Sequence, residues 1–143
     1  MSTVADILQG KQHDVLQIQG DASVFDAVKA MVDANVGSLL VTDEGEITGI
    51  VTERDYLRRA ALEGRPDRET PVREIMSAPV ICVTPETEID ECMALMTERR
   101  IRHVPVVDGG ALVGMISIGD LVKFQSTQQS VQIKYLTDYI TAR

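Results

Sequence analysis

The chain has 143 residues, of which 44% are apolar, 25% charged and 3% aromatic. That is the balance of one soluble globular unit and excludes a disordered, collagen-like or disulfide-stapled chain. Fourteen Lys and Arg against 22 Asp and Glu leave a formal charge of −8, which opposes attraction to nucleic acid or anionic lipid, so neither is expected as a partner. Cys82 and Cys92 lack the CxxC spacing of a zinc or redox pair and read as reduced thiols packed in a core. No basic leader region precedes Gly10 and no stretch approaches the ~18 apolar residues of a membrane span, so a reducing, soluble, cytoplasmic setting is expected.

In chain order, residues 15–18 form a short apolar run ahead of the breaker Gly20-Asp21, the pattern of a buried strand meeting a helix start. Helical spacing follows in Val24, Ala27, Val28, Met31 and Val32. Residues 38–42 and 47–52 are β-branched runs separated by Asp43-Glu44-Gly45, which predicts an antiparallel hairpin. A helix carrying Tyr56, Leu57, Ala60 and Ala61 closes this half, and residues 64–71, rich in Gly, Pro and charge, read as a linker. The second half repeats the order. A strand over 80–83 precedes Pro85-Glu86, and a helix carries Ile89, Cys92, Met93 and Met96. A hairpin of 103–107 and 112–117 turns at Asp108-Gly109-Gly110. A last helix begins at Leu121, Val122 and Phe124 and can resume through Ile133, Leu136 and Ile140.

The two halves are copies. Residues 24–57 align without a gap on 89–122 at a constant offset of 65, pairing Met31 with Met96, Asp43 with Asp108, Gly49 with Gly114 and Asp55 with Asp120. Upstream, Asp6-Ile7-Leu8 resembles Glu74-Ile75-Met76. The expected division is a first motif over 1–64 including the N-terminal segment, a linker over 65–71, a second motif over 72–126 and a C-terminal helix over 127–143. A unit of sixty residues buries only ~60% of the surface its unfolded chain exposes and is marginal alone. The expected fold is therefore α/β: two βαββα motifs related by a pseudo-twofold axis and packed sheet to sheet, leaving two related clefts.

Each copy closes on the same motif, Gly49-Ile50-Val51-Thr52-Glu53-Arg54-Asp55 and Gly114-Met115-Ile116-Ser117-Ile118-Gly119-Asp120. A hydroxyl residue followed three positions later by an acid is a capping box. A carboxylate at a helix start can equally accept both vicinal hydroxyls of a ribose, while free N–H groups there can hold a phosphate. The two roles are compatible. Met31, Met93 and Met96, at helical spacing, read as core. Arg58, Arg59, Arg65 and Arg68 read as a solvated stretch that can mark a partner surface, and Arg99 and Arg100 as cations complementing a helix C-terminus. His13 carries no functional reading.

With its repeated G-h-h-[ST]-x-x-D, the segment Arg100-Ile101-Arg102-His103-Val104-Pro105-Val106-Val107-Asp108 and the weaker copy Asn35-Val36-Gly37-Ser38-Leu39-Leu40-Val41-Thr42-Asp43, the chain resembles a tandem pair of cystathionine β-synthase (CBS) domains, a Bateman module. The likeness covers residues 4–125, and Thr52-Glu53-Arg54-Asp55-Tyr56-Leu57 looks like the small stand-alone members. The resemblance implies a non-catalytic regulatory module that binds an adenine nucleotide (AMP, ADP, ATP or NAD(H)), with no catalytic cofactor, and signals its ligand state to an effector protein. It further implies a cleft of Asp120, Ser117, Met115 and His103 closed by Val36, Gly37, Leu16 and Lys11. A second cleft would hold Asp55, Thr52, Arg54, Ile50 and Ser38, closed by Ile101, Arg102, Ile81 and Ser77. A homodimer is expected, with Tyr56, Leu57, Ala60, Tyr135, Leu136, Tyr139 and Ile140 as interface candidates.

Two other functions compete. A nucleotide-converting enzyme finds no GxGxxG, no GK[ST] loop, no GxSxG and no HExxH in the sequence, and Cys82, Cys92, His13 and His103 lack the spacing of a metal site. A purely structural dimerisation module with degenerate clefts is opposed by the presence of both Asp55 and Asp120.

Overall fold

The computed structural model describes residues 2–10 and 15–128. Its elements in chain order are α1 (Val4–Gln9), β1 (Gln17–Gln19), α2 (Val24–Ala34), β2 (Ser38–Asp43), β3 (Glu46–Thr52), α3 (Glu53–Tyr56), α4 (Ile89–Arg99), β4 (His103–Asp108), β5 (Ala111–Ser117) and α5 (Ile118–Gln128). A π-helical turn, Leu57–Ala61, prolongs α3, and a 3₁₀ turn covers Val72–Glu74. The continuation expected over Ile133, Leu136 and Ile140 lies outside the described residues.

The chain divides into two compact units, one of residues 14–81 and one joining 1–13 to 82–143. In the first, β1 lies parallel to β2 and β2 antiparallel to β3. Helix α2 starts at Ser23, whose hydroxyl accepts from the Asp26 N–H at 3.1 Å, a cap that satisfies one orphan donor. It ends at Asn35 in the left-handed region (φ 55), with Val36 N–H donating to Met31 O at 3.0 Å. Its apolar stripe, Val24, Ala27 and Met31, packs with Leu39, Val41, Val51, Ala60, Val72 and Ile75 into one core. In the second unit α4 ends the same way at Arg100 (φ 55), with Ile101 N–H on Met96 O at 3.0 Å, and β4 pairs antiparallel with β5. Both hairpins slip register by one residue after Val41 and Val106, immediately opposite Gly49 and Gly114. That bulge bends each ladder at the start of the motif strand.

The sequence repeat and the compact units do not coincide, because each copy's lead-in segment packs in the other copy's unit. Residues 4, 7 and 8 of α1 belong to the core of Ile89, Cys92, Met96, Val104, Val106, Ile116 and Leu121, while Val72 and Ile75 complete the core of the 14–81 unit. The backbone bonds that seat them are duplicates: Val4 N–H to Thr87 O and Val72 N–H to Ala22 O, both 2.8 Å, and Ala5 N–H to Pro85 O and Arg73 N–H to Gly20 O, both 2.9 Å. Gly49 and Gly114 are required by this packing. A Cβ on Gly114 would stand 2.6 Å from Leu8 Cδ2, and one on Gly49 would overlap the Met76 thioether and meet Ser77 O at 3.0 Å.

Several expectations change. The strand expected over 80–83 reduces to one bridge, Val83 with Val106. In the first copy Leu40 N–H donates to Leu16 O at 3.1 Å; its counterpart in the second copy is Pro105, which has no N–H, so the equivalent bond to Ile81 O cannot form. Cys92 is buried as expected and burial pushes its thiol pKa up, but Cys82 is exposed. Ala60 is buried in its own unit's core and leaves the list of interface candidates. Arg58, Arg59 and Arg68 of the arginine stretch are exposed as expected, but three of its four members also make contacts within the chain. Arg68 lies over the Phe25 ring at 3.8 Å. Arg65 pairs with Glu74 at 2.9 Å, and Arg59 binds two main-chain carbonyls.

Candidate functional site

The motif strands β3 and β5 deliver Thr52 and Ser117 to the starts of α3 and α5, and in both copies the capping box forms in full. Asp55 N–H donates to Thr52 Oγ1 at 3.1 Å and Thr52 N–H returns to Asp55 Oδ2 at 3.0 Å. Asp120 N–H donates to Ser117 Oγ at 3.1 Å and Ser117 N–H to Asp120 Oδ2 at 2.8 Å. The first N–H of each helix is also taken, Glu53 N–H by Gly37 O at 3.1 Å and Ile118 N–H by Arg102 O at 2.8 Å. The supply of N–H groups for a phosphate is thus smaller than the sequence suggests, because two of each helix's first three are engaged within the chain.

In the 14–81 unit the structure brings Asp55, Thr52, Ile50, Ser38 and Ser77 together. Ser38 faces Thr52 across the β2–β3 ladder. Ser77 pairs with Ile50 through two backbone bonds, Ile50 N–H to Ser77 O at 3.0 Å and Ser77 N–H to Ile50 O at 2.8 Å. The Ser77 hydroxyl donates to Asp55 Oδ1 at 2.9 Å, and Arg59 Nη1 lies 3.8 Å from the same oxygen. Asp55 is 7% exposed, so its charge is held by three chain groups rather than by water. Arg54 follows on the exposed side, Gly37 reaches the site through its carbonyl, and Val36 and Leu16 are exposed. Ile81 is half-buried.

In the other unit His103 faces Ser117 and Pro105 faces Met115 across β4–β5, which puts His103, Met115, Ser117 and Asp120 at one end of that hairpin. Among the described residues, a Cβ at Gly119 would meet Ser117 Oγ at 3.6 Å, an ordinary van der Waals distance. Ile101 is half-buried and Arg102 exposed, its carbonyl on Ile118. Lys11 and His13 lie outside the described residues. Arg59, expected only as part of a solvated surface stretch, belongs to the site: its Nη1 binds Ile75 O at 3.2 Å and Met76 O at 2.9 Å. An acid followed four residues later by a base, Asp55 and Arg59, was the available signal. Among the described residues no cluster of three or more His, Cys, Asp or Glu could hold a metal ion, and no helix is long and apolar enough to cross a membrane.

Comparison with known proteins agrees with this duplicated motif. The sequence pattern of the CBS domain matches twice, at residues 4–62 and 72–127. The chain is 40% identical to CBS domain-containing protein CBSX3, mitochondrial, of Arabidopsis thaliana, over 97% of this chain and 72% of that one. A solved protein of Burkholderia ambifaria, provisionally described as a signal-transduction protein with CBS domains, superimposes with TM-score 0.87 at 50% identity, covering 90% of this chain and 96% of that one. The hexameric CBS-CP12 protein of bloom-forming cyanobacteria gives TM-score 0.77 at 34% identity, covering 85% and 70%. Both repeats, their mixed α/β fold and these likenesses place the chain in the CBS-domain family, with two copies of the domain in tandem.

Proposed function

We propose that this protein is a non-catalytic sensor of adenine nucleotides, AMP, ADP, ATP or NAD(H), that passes its ligand state to a partner protein. The observation that carries the reading is the duplicated helix start, in which Thr52 with Asp55 and Ser117 with Asp120 adopt one hydroxyl–carboxylate geometry. A carboxylate offers about four lone-pair positions, so one oxygen can serve the cap while the group accepts a sugar diol, whose two hydroxyls bind best to an ionised acceptor. His103, Arg54 and Arg102 are the groups to meet phosphate. A relative of the same size, provisionally described as a signal-transduction protein, supports a regulatory rather than a chemical role. Mass spectrometry of small molecules released on denaturing the natively purified protein tests this: an adenine nucleotide at near-stoichiometric amount supports it. No nucleotide in the released fraction, together with none retained after incubation and desalting, opposes it.

Self-association is part of the proposal. Val28, Met31, Val32, Asn35, Val36, Glu53, Tyr56 and Leu57 line a groove of about 390 Å³, and Val32 and Leu57 on its rim are 72% and 57% exposed. A second copy covering this apolar face gives a homodimer of the closed kind that most soluble oligomers adopt. The hexameric cyanobacterial neighbour shows that a CBS-containing protein of this fold self-assembles. Tyr135, Leu136, Tyr139 and Ile140, the remaining interface candidates, lie outside the described residues. A cytoplasmic, reducing compartment suits the two free thiols, although the Arabidopsis relative is a mitochondrial protein by name.

A further inference from the structure

The Asp55 site carries its own occupant. Ser77 Oγ donates to Asp55 Oδ1 at 2.9 Å, on the oxygen opposite the one committed to the helix cap. A neutral hydroxyl on an ionised carboxylate is the same bond that a sugar hydroxyl would make. The arrangement is tight. Asp55 is buried, Arg59 Nη1 stands 3.8 Å from the same Oδ1, and that guanidinium is itself fixed on the carbonyls of Ile75 and Met76. Ser77 is in turn clamped to the motif strand by its two backbone bonds with Ile50.

We infer that Ser77 is an intrachain gate on the Asp55 site: because the carboxylate is buried and Arg59 crowds Oδ1, a vicinal diol reaches Asp55 by displacing the Ser77 hydroxyl, and this displacement loosens the segment 75–77 from the motif strand. The inference rests on the proposed reading of Asp55 as a diol acceptor and assigns that site its regulation. The repeat places different residues at the two gate positions of the other copy. The lead-in alignment that pairs Ile7 with Ile75 and Leu8 with Met76 puts Gln9 opposite Ser77, and the offset of 65 puts Phe124 opposite Arg59. A phenyl ring donates no hydrogen bond, and Phe124 packs on the apolar core of its own unit. Ligand binding at Asp55 is therefore expected to be weaker than the bare motif implies, and to be reported locally by residues 75–77 and 50.

The test uses the full chain with Asp120→Asn, so that Asp55 is the acceptor being read, and compares Ser77, Ser77→Ala and Ser77→Thr. Each is titrated calorimetrically with AMP, ATP and NAD, and hydrogen exchange is followed at the Ile50 and Ser77 amides. The gate requires that Ser77→Ala bind at least one nucleotide about threefold to tenfold more tightly, the worth of one hydrogen bond, and that Ser77→Thr, which keeps the hydroxyl, stay close to the parent. Without ligand, Ser77→Ala should speed exchange at both amides, and saturating nucleotide should do the same in the parent. Binding that is unchanged or weaker in Ser77→Ala, or nucleotide that slows exchange at these amides, overturns the gate and leaves the nucleotide reading standing. If neither form binds any of the three nucleotides although Ser77→Ala still speeds exchange, the Asp55 nucleotide reading itself fails and the gate falls with it.

Discussion

Leu8 packs onto Gly114 so closely that a Cβ on the glycine would come within 2.6 Å of Leu8 Cδ2, although one residue opens the chain and the other sits in the motif strand of the second repeat. The contact makes the N-terminal helix a structural part of the second copy. Gly114→Ala should cost about 1–3 kcal/mol by overpacking, and Leu8→Ala about 2–5 kcal/mol by opening a cavity. Combined, they should cost less than the sum, because the smaller side chain admits the added methyl. Urea unfolding of the four proteins measures the cycle, and strict additivity would show that the two residues do not meet.

Cap and ligand roles of the motif can be separated. Ser117→Ala removes the acceptor for Asp120 N–H and should lose about 1 kcal/mol of stability. Asp120→Asn keeps an oxygen for Ser117 N–H and should leave stability nearly intact, yet weaken nucleotide binding about tenfold or more by removing the charge. Denaturation and titration of the two variants should therefore move in opposite columns. An Asp120→Asn protein that is destabilised but binds normally would assign the carboxylate to capping alone.

Arg100 holds the left-handed position at the end of α4, φ 55, that Asn35 fills at the end of α2. Asparagine tolerates this conformation, whereas a longer side chain is strained there by ~1–2 kcal/mol. Arg100→Gly should stabilise the protein by about 1 kcal/mol and raise its melting temperature, while Asn35→Gly should change little. A melting temperature lowered by Arg100→Gly would mean that the arginine makes a contact worth more than the strain.

Tyr56 donates its hydroxyl to Asp67 Oδ2 at 3.0 Å. This bond raises the phenol pKa above its usual value, with burial and the Asp67 charge acting in the same direction. A folded-state pKa above the unfolded one means that the contribution is whole below about pH 10 and is lost as pH climbs through the folded-state value. Tyr56→Phe should accordingly be less stable than the parent at pH 7, with the gap closing at alkaline pH. Denaturation midpoints at pH 7 and across the alkaline range measure this, and a gap that persists or widens at high pH would contradict it.

Much of the architecture is local in origin and could be read from residues alone. The hairpins stand where Asp43-Glu44-Gly45 and Asp108-Gly109-Gly110 put them, because turn chemistry acts over four residues. The capping boxes form at Thr52 and Ser117 for the same reason. The lead-in exchange was not legible: Ile7 and Leu8 have the same apolar spacing whichever core receives them, and nothing local distinguishes the two. The loss of the strand before Val83 was legible in principle, since it follows from the missing N–H of Pro105, but only once the parallel register was known. At the candidate site the motif placed Asp55 and Thr52 correctly beside each other, whereas the Ser77 bond spans 22 residues and depends on how the lead-in segment docks. For Arg59 the i,i+4 spacing from Asp55 was the one legible signal, because a guanidinium binding main-chain carbonyls leaves no pattern in the side-chain sequence.

The central claim is that both Asp55 and Asp120 serve as acceptors for a nucleotide ribose. Isothermal titration of the ligand-stripped protein with AMP, ADP, ATP and NAD, set beside the Asp55→Asn/Asp120→Asn double variant, tests it most directly. Saturable binding of at least one nucleotide to the parent, lost in a double variant that still melts cooperatively, is the predicted result. Absence of binding of all four to the parent, or equal binding by the double variant, would contradict it.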